Sequence, residues 1–251
     1  MNKIAVYTSI FSEYDQLYEP PLDDQIDYIC FTDNKNFKSK IWKIILINED
    51  LNIKILNRKF KFLPHKYLSQ YEWSVYVDGN IRIMTSPSRL FSKYMNSYNI
   101  YAPNHPERNC IYDEAKYLLN KKKNNRELIK KQINKIKNEN YPEKIGLNEF
   151  NIIIRKHNDP DIINSMEEIW TLFQSFPTRD QLIFNYVLWK NNIQIGKIIE
   201  SARKKNKYFK AIPHNNNNIY LRKIFNIFWY RRYHNKYFFF ISKIFSKLLN
   251  V

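Results

Sequence analysis

Three residues, Asp78-Gly79-Asn80, close an apolar run in "EWSVYVDGNIRI" and have the spacing to do chemistry. A carboxylate and an amide one residue apart across a glycine can turn both oxygens toward one hard cation. The same residues also make a plain β-turn, because Asp-Gly and Gly-Asn are favoured turn pairs between strands. A second group is Arg179-Asp180-Gln181 in "TRDQLIF", where a cation, a carboxylate and an amide stand together at a helix start. An acid in a first turn complements the helix dipole, so capping competes with a site there. Arg58 and Lys61, i and i+3 in "NRKFKF", share one helix face, as an anion contact or as a solvated face.

The elements that must position these groups alternate in type. "KIAVYTSI", "IDYICFTD" and "WKIILIN" are near-continuous apolar runs, as expected of parallel strands covered on both faces. Ile53, Leu56, Phe60 and Leu63 repeat at helical spacing until Pro64 breaks the pattern. "WSVYVDGN" and "YNIYAPNHP" read as further strands, with "SRLFSKYM" a helix opened by Ser86-Pro87-Ser88. Residues 112–139 are Lys/Asn-rich with a sparse apolar stripe, which predicts one or two solvent-facing helices. "GLNEFNIIIRKHND" reads as a strand ending in Arg155, His157 and Asn158. Two helices follow, "DPDIINSMEEIWTLFQSF" and "TRDQLIFNYVLWKNN", the second with Thr178 as N-cap. This alternation predicts an α/β domain whose mostly parallel central sheet is flanked by helices. Ligands of such sheets bind outside the carboxyl ends of the strands, and Ser9, Asp33, Asp78 and His105 lie at or just past such ends.

Composition narrows the chemistry. With 251 residues, 44% of them hydrophobic, the chain is one large domain or a domain with an appendage. Its three glycines, Gly79, Gly146 and Gly196, exclude a Gly-rich dinucleotide loop or a P-loop. Phosphate must then be met by side chains, a metal or helix N-termini. Cys30 and Cys110 form no metal spacing and suit a reducing compartment. The N-terminal apolar stretch is too short for a signal peptide, and no run reaches the ~18 apolar residues that span a bilayer.

Charge is uneven. Residues 201–251 hold twelve Lys or Arg and no acid, out of a net charge of +17. In the last helical stretch Tyr237, Ile241, Ile244, Phe245 and Leu248 share a face, with Lys236, Lys243, Lys247 and Asn250 opposite. A basic amphipathic helix rich in aromatics suits an anionic membrane surface; a helix packed on the domain with solvated lysines is the plainer alternative. A nucleic-acid surface fits less well, since the aromatics cluster on helical faces and do not alternate along a groove. The expected division is a domain at 1–214 and a basic helical tail at 215–251.

Six segments in fixed order resemble a glycosyltransferase family first described as a domain of unknown function and typified by plant mucilage and turgor proteins. They are "YTSIFSEYDQL", "DYICFTD", "NRKFKFLPHKYL…YEWSVYVDGNI", "HPERNCIYDEA", "GLNEFNIIIRKHN" and "RDQLIFNYVLWK", spanning roughly residues 4 to 190. The resemblance implies a GT-A-like fold, a nucleotide-sugar donor and a divalent metal on an Asp-x-Asp-type motif. Asp78 and Asn80 match that motif, although Asn80 replaces the usual second carboxylate, so it either ligates through its amide oxygen or contacts the sugar. His214 in "AIPHNN" stands where the family places a late ligand, or it is a surface residue. An imidazole among oxygen ligands suits Mn²⁺, which is expected over Mg²⁺.

By the same resemblance Arg58 and Lys61 steady the donor phosphates, and Thr8 and Asp33 contact the nucleoside, unless the latter two are capping or turn residues. Asp180 is expected to face the sugar or acceptor hydroxyl as base or electrostatic partner, oriented by Arg179 and Gln181. His105, Arg108, Glu114, Arg155 and His157 are expected along the donor-sugar and acceptor side, with an Arg108–Glu114 ion pair as the competing role. The expected activity is glycosyl transfer to a glycan or lipid-linked acceptor for surface polysaccharide, at the cytosolic face of the membrane. A non-catalytic binding module with the same fold is the alternative.

Overall fold

The structure is a computed structural model that describes residues 4–121, 125–212, 214, 227–229 and 231–248, the last four of these by backbone alone. The expected linker at Asn215 to Asn218, and with it the boundary after residue 214, lies outside the described residues.

Seven strands form one sheet in the order β3-β2-β1-β4-β7-β6-β8. They are β1 (Ile4–Ile10), β2 (Ile26–Thr32), β3 (Lys43–Leu46), β4 (Ser74–Val77), β6 (Ile100–Pro103), β7 (Ile152–Arg155) and β8 (Gly196–Ile198). Every neighbouring pair is parallel except the two that β7 makes, with β4 and β6. A separate antiparallel pair joins β5 (Ile81–Ile83) to β9 (Phe209–Ala211). The expected α/β architecture with a mostly parallel sheet is the one found.

The pleat divides the core into two layers. Along β1, Ala5 and Tyr7 point to one face and Ile4 and Val6 to the other. The first face is covered by helices α1 (Ile53–Phe62), α5 (Pro160–Ser175) and α6 (Asp180–Lys190), through Phe60, Phe62, Phe173 and Phe184. The second is covered by α2 (Ser88–Tyr94) and the β5–β9 pair, through Phe91 and Phe209. Fully burying each such ring is worth about 2–3 kcal/mol over leaving it exposed.

Helix α6 is buried on every side from Leu182 to Leu188, so it runs through the interior and carries its first residue, Asp180, inside with it. Thr178 does not cap it. Arg179 occupies the N-cap, while the Thr178 hydroxyl turns away to donate to Gln132.

Residues 111–138 form two helices, α3 (Ile111–Leu119) and α4 (Arg126–Asn138). They are less solvent-facing than their composition predicts, because Ile111, Ala115, Leu118, Ile129 and Ile136 are buried. Of the run expected as a strand at 146–159, only Ile152–Arg155 is one. The last helix, α7 (Lys236–Leu248), forms as expected.

Candidate active site

A cleft of about 630 Å³ opens outside the carboxyl ends of β1 and β4, bounded by Ser9–Asp15, helix α1, the 78–81 turn, residues 149–151, the start of α6, Arg203 and His214. Asp78-Gly79-Asn80 is both a turn and a wall of this cleft. The Asp78 carbonyl accepts from Ile81 N at 2.9 Å, closing the turn, and Asp78 N donates to Asn151 O at 2.9 Å, tying it to the segment before β7. Glycine is required at 79 by proximity: a Cβ there would lie 2.8 Å from Ile10 Cγ1 and 3.0 Å from Asp15 Oδ2.

The floor of the cleft is a network of charges. Asp180 Oδ2 lies 2.6 Å from Lys61 Nζ and 3.3 Å from Arg58 Nε, and Lys61 Nζ also reaches Asp78 Oδ1 at 3.4 Å. Burial alone would raise the Asp180 pKa, but Arg58, Lys61 and Arg179 outweigh it and hold the carboxyl well below the usual carboxylate range. Lys61 is 2% exposed and lies 5.0 Å from the Tyr76 ring centroid, so its desolvation is offset by an anion and a π-face. Arg155, expected along the cleft, is buried beneath this floor, where its guanidinium donates to Tyr7 Oη and to the Lys61 carbonyl. It braces Lys61 from the core side.

Sequence reasoning misses the opposite wall. Ser12 and Glu13 take left-handed backbone (φ 54° and 53°), and Ser12 N donates to both Asp33 carboxylate oxygens at 2.9 and 3.1 Å. Asp33 thus braces this turn from outside the cleft. The turn delivers Tyr14 and Asp15 into the cleft. Asp15 Oδ1 meets His214 Nδ1 at 2.7 Å, with the Tyr14 and His214 rings 4.7 Å apart. Asn80 Nδ2 donates to Ile212 O at 3.0 Å, and the Asn80 carbonyl accepts from Ile212 N at 2.8 Å. Asp78, Asn80 and His214 therefore line the same cleft, with His214 turned to Asp15 and Asn80 tied to the segment before His214.

Thr8 lies one residue short of the site. Alternation along β1 turns its side chain into the protein, and Ser9 takes the cleft position, its carbonyl held by Asn57 Nδ2 at 2.7 Å.

His105, Arg108 and Glu114 form a cluster outside the residues lining the cleft. Arg108 Nε donates to Glu114 Oε2 at 2.5 Å, and His105 Nδ1 accepts from the backbone of Glu107 and Arg108. Burial and then Arg108 push the His105 pKa down to about 3. His157 is buried too; its Nε2 donates to Leu68 O at 2.8 Å, and burial pushes its pKa down to about 4. In both, burial favours the neutral imidazole.

Glu149, in the segment before β7, borders the cleft at 1% exposure with Oε1 2.5 Å from Arg203 Nε. Burial raises its pKa, opposed by Arg203. Glu149 Oε2 and Gln181 Oε1 are buried acceptors without a hydrogen-bond partner among the described residues.

Residues 25–214 match the family described as TOD1/MUCI70, glycosyltransferase-like domain. No curated protein matches the chain. A solved structure, the bifunctional glycosyltransferase WbbM in its apo form, is similar with a TM-score of 0.48 and 9% identity over 78% of this chain. The match covers 39% of that protein.

Proposed function

The chain belongs to the TOD1/MUCI70 glycosyltransferase-like family, and from that membership we propose that it moves a sugar from a nucleotide-sugar donor to a glycan or lipid-linked acceptor in surface polysaccharide biosynthesis. The observation that carries this reading is the cationic floor of the cleft, where Arg58 and Lys61, one turn apart on α1, share Asp180 and border Asp78. The leaving group of such a donor is a nucleoside diphosphate, whose charge grows as the C1–O bond breaks. Fixed cations in a partly dry cleft stabilise that charge more than they would in water. Asp180 holds both cations in place, and so depressed a carboxylate is a poor proton acceptor, so its role is the electrostatic one. Gln181 Oε1 and Glu149 Oε2 suit hydroxyls of the sugar.

Among the described residues no three His, Cys, Asp or Glu side chains converge as a metal-holding group. The donor set nonetheless fits an ion that takes its remaining ligands from the donor phosphates, as ions held by one or two carboxylates do. Asp78 would hold it, with Asn80 and His214 on the same wall and the small Gly79 leaving room for Asp15 beside them. When bound, a divalent cation supplies further neutralisation of the diphosphate. The imidazole beside oxygen ligands favours Mn²⁺.

The test is titration of uridine and guanosine diphosphate sugars with and without Mn²⁺, repeated on Asp78→Ala. Mn²⁺-dependent binding that the substitution abolishes is expected; metal-independent binding that survives it overturns the role of Asp78. A second reading, a binding module without turnover, is favoured by one feature, the amide at position 80 with its nitrogen tied to Ile212. Donor binding without sugar transfer or hydrolysis would select it.

A further inference from the structure

We propose that α7 presents a surface that docks on an anionic phospholipid bilayer. Tyr237, Phe240 and Ile244, at i, i+3 and i+7 of α7, form one stripe and are 69%, 66% and 43% exposed. The other side of the helix is packed: Ser242 is 1% exposed, and Phe238 lies 5.8 Å from Phe228. The segment before the helix is tied down, because Tyr233 donates to the Glu107 carboxylate and Arg232 lies 3.5 Å from it. The apolar stripe is thus held outward by a helix that is anchored from behind.

The charges around the stripe say what covers it. Lys236 and Lys243 are exposed on α7, their ammonium groups 5.5 Å from the Tyr237 ring and 4.6 Å from the Phe239 ring. Long basic side chains lying along aromatic rings are placed to reach a headgroup layer while the rings enter the acyl boundary. The His234 pKa is lowered by burial and then by Arg231, Lys210 and Lys205, in keeping with positive charge near the start of the helix. No acidic residue occurs from 201 to 251 to offset them. No described helix is long and apolar enough to cross a membrane, so the contact is with the surface. Aromatics in one helical stripe match a bilayer interface and not a base-stacking groove.

The docking is tested without any turnover.

The full chain is sedimented with phosphatidylcholine vesicles containing or lacking phosphatidylglycerol, at low and high salt. Binding to the anionic vesicles alone, lost at high salt, is expected. Tyr237→Ser/Phe240→Ser/Ile244→Ser and, separately, Lys236→Gln/Lys243→Gln should each weaken it by about tenfold or more. The lysine pair is exposed, so it remains informative if circular dichroism shows the triple variant misfolded. The proposal is overturned if the wild type stays in the supernatant, or if folded variants bind as wild type does. It is equally overturned if an oligonucleotide is bound at the same salt while the vesicles are not.

Discussion

Lys61 and Asp180 form a buried ion pair, Nζ to Oδ2 at 2.6 Å, with side chains only 2% and 7% exposed. Taking two charges out of water is costly, and the pair is supported by Arg58 on the same carboxylate. Asp180→Ala leaves two cations facing an empty site. Urea unfolding at neutral pH should show a loss of about 3–5 kcal/mol. Lys61→Met combined with Asp180→Leu should cost at least about 1 kcal/mol less than the sum of the two single changes. Additive costs would mean that the pair is not coupled.

The Asp15–His214 contact predicts a second effect, on binding more than on folding. Asp15 fixes the ring through Nδ1, which leaves Nε2 to face other partners. Asp15→Ala should weaken Mn²⁺ binding, read by electron paramagnetic resonance with uridine diphosphate present, by about 10- to 100-fold. Asp15→Asn, which can still accept from Nδ1–H, should recover part of it. Unaltered Mn²⁺ affinity in Asp15→Ala would remove Asp15 from the site.

Gly79→Ala tests how closely the turn is packed. The added methyl lies 2.8 Å from Ile10 Cγ1 and 3.0 Å from Asp15 Oδ2, so the turn or these side chains must shift. A stability loss of about 1–3 kcal/mol, with weaker donor binding, is expected in thermal melts and titration. A stability equal to wild type would show that the wall gives way freely.

His157 predicts an acid sensitivity within a defined window. Its folded pKa, about 4, lies below the unfolded value of about 6.5. The folded state therefore binds fewer protons, and stability is full above about pH 6.5 and lost as pH falls toward 4. From pH 7.5 to 5 this residue contributes about 2 kcal/mol of loss, which His157→Gln should remove from the pH slope of urea unfolding. Asp180 adds nothing in that window, because its pKa is depressed below the carboxylate range and its stabilisation is lost only in stronger acid.

The strands β1, β2 and β4 and the helices α1, α5 and α6 are legible in the sequence because each carries its own period or apolar run. β8 and β9 are not: each has three residues, too few for any pattern. The placement of Asp78, Arg58, Lys61 and Asp180 along one cleft is legible for the same reason, since they sit on or beside regular elements whose faces can be counted. Thr8 for Ser9 is a slip of one residue, which in a strand reverses the side chain. Asp15, Tyr14 and Glu149 are hidden because their placement depends on contacts across the fold. Nothing local in "FSEYD" reveals that its turn is braced by Asp33, 21 residues on. Arg155 and His157 show the converse: residues rich in chemical potential can be spent on holding the core.

The two-way hydrogen bond between Asn80 and Ile212 has a consequence for how the protein comes into being. The central sheet is complete once β8 has been synthesised, but Asn80 receives its backbone and side-chain partner, Ile212, only from the segment after it. A nascent chain still holding that segment in the ribosome has the sheet and the cationic floor without the strand and His214 that complete the cleft. The proposed competence for a donor would therefore be acquired late in translation, since a chain cut short after β8 lacks one side of the cleft.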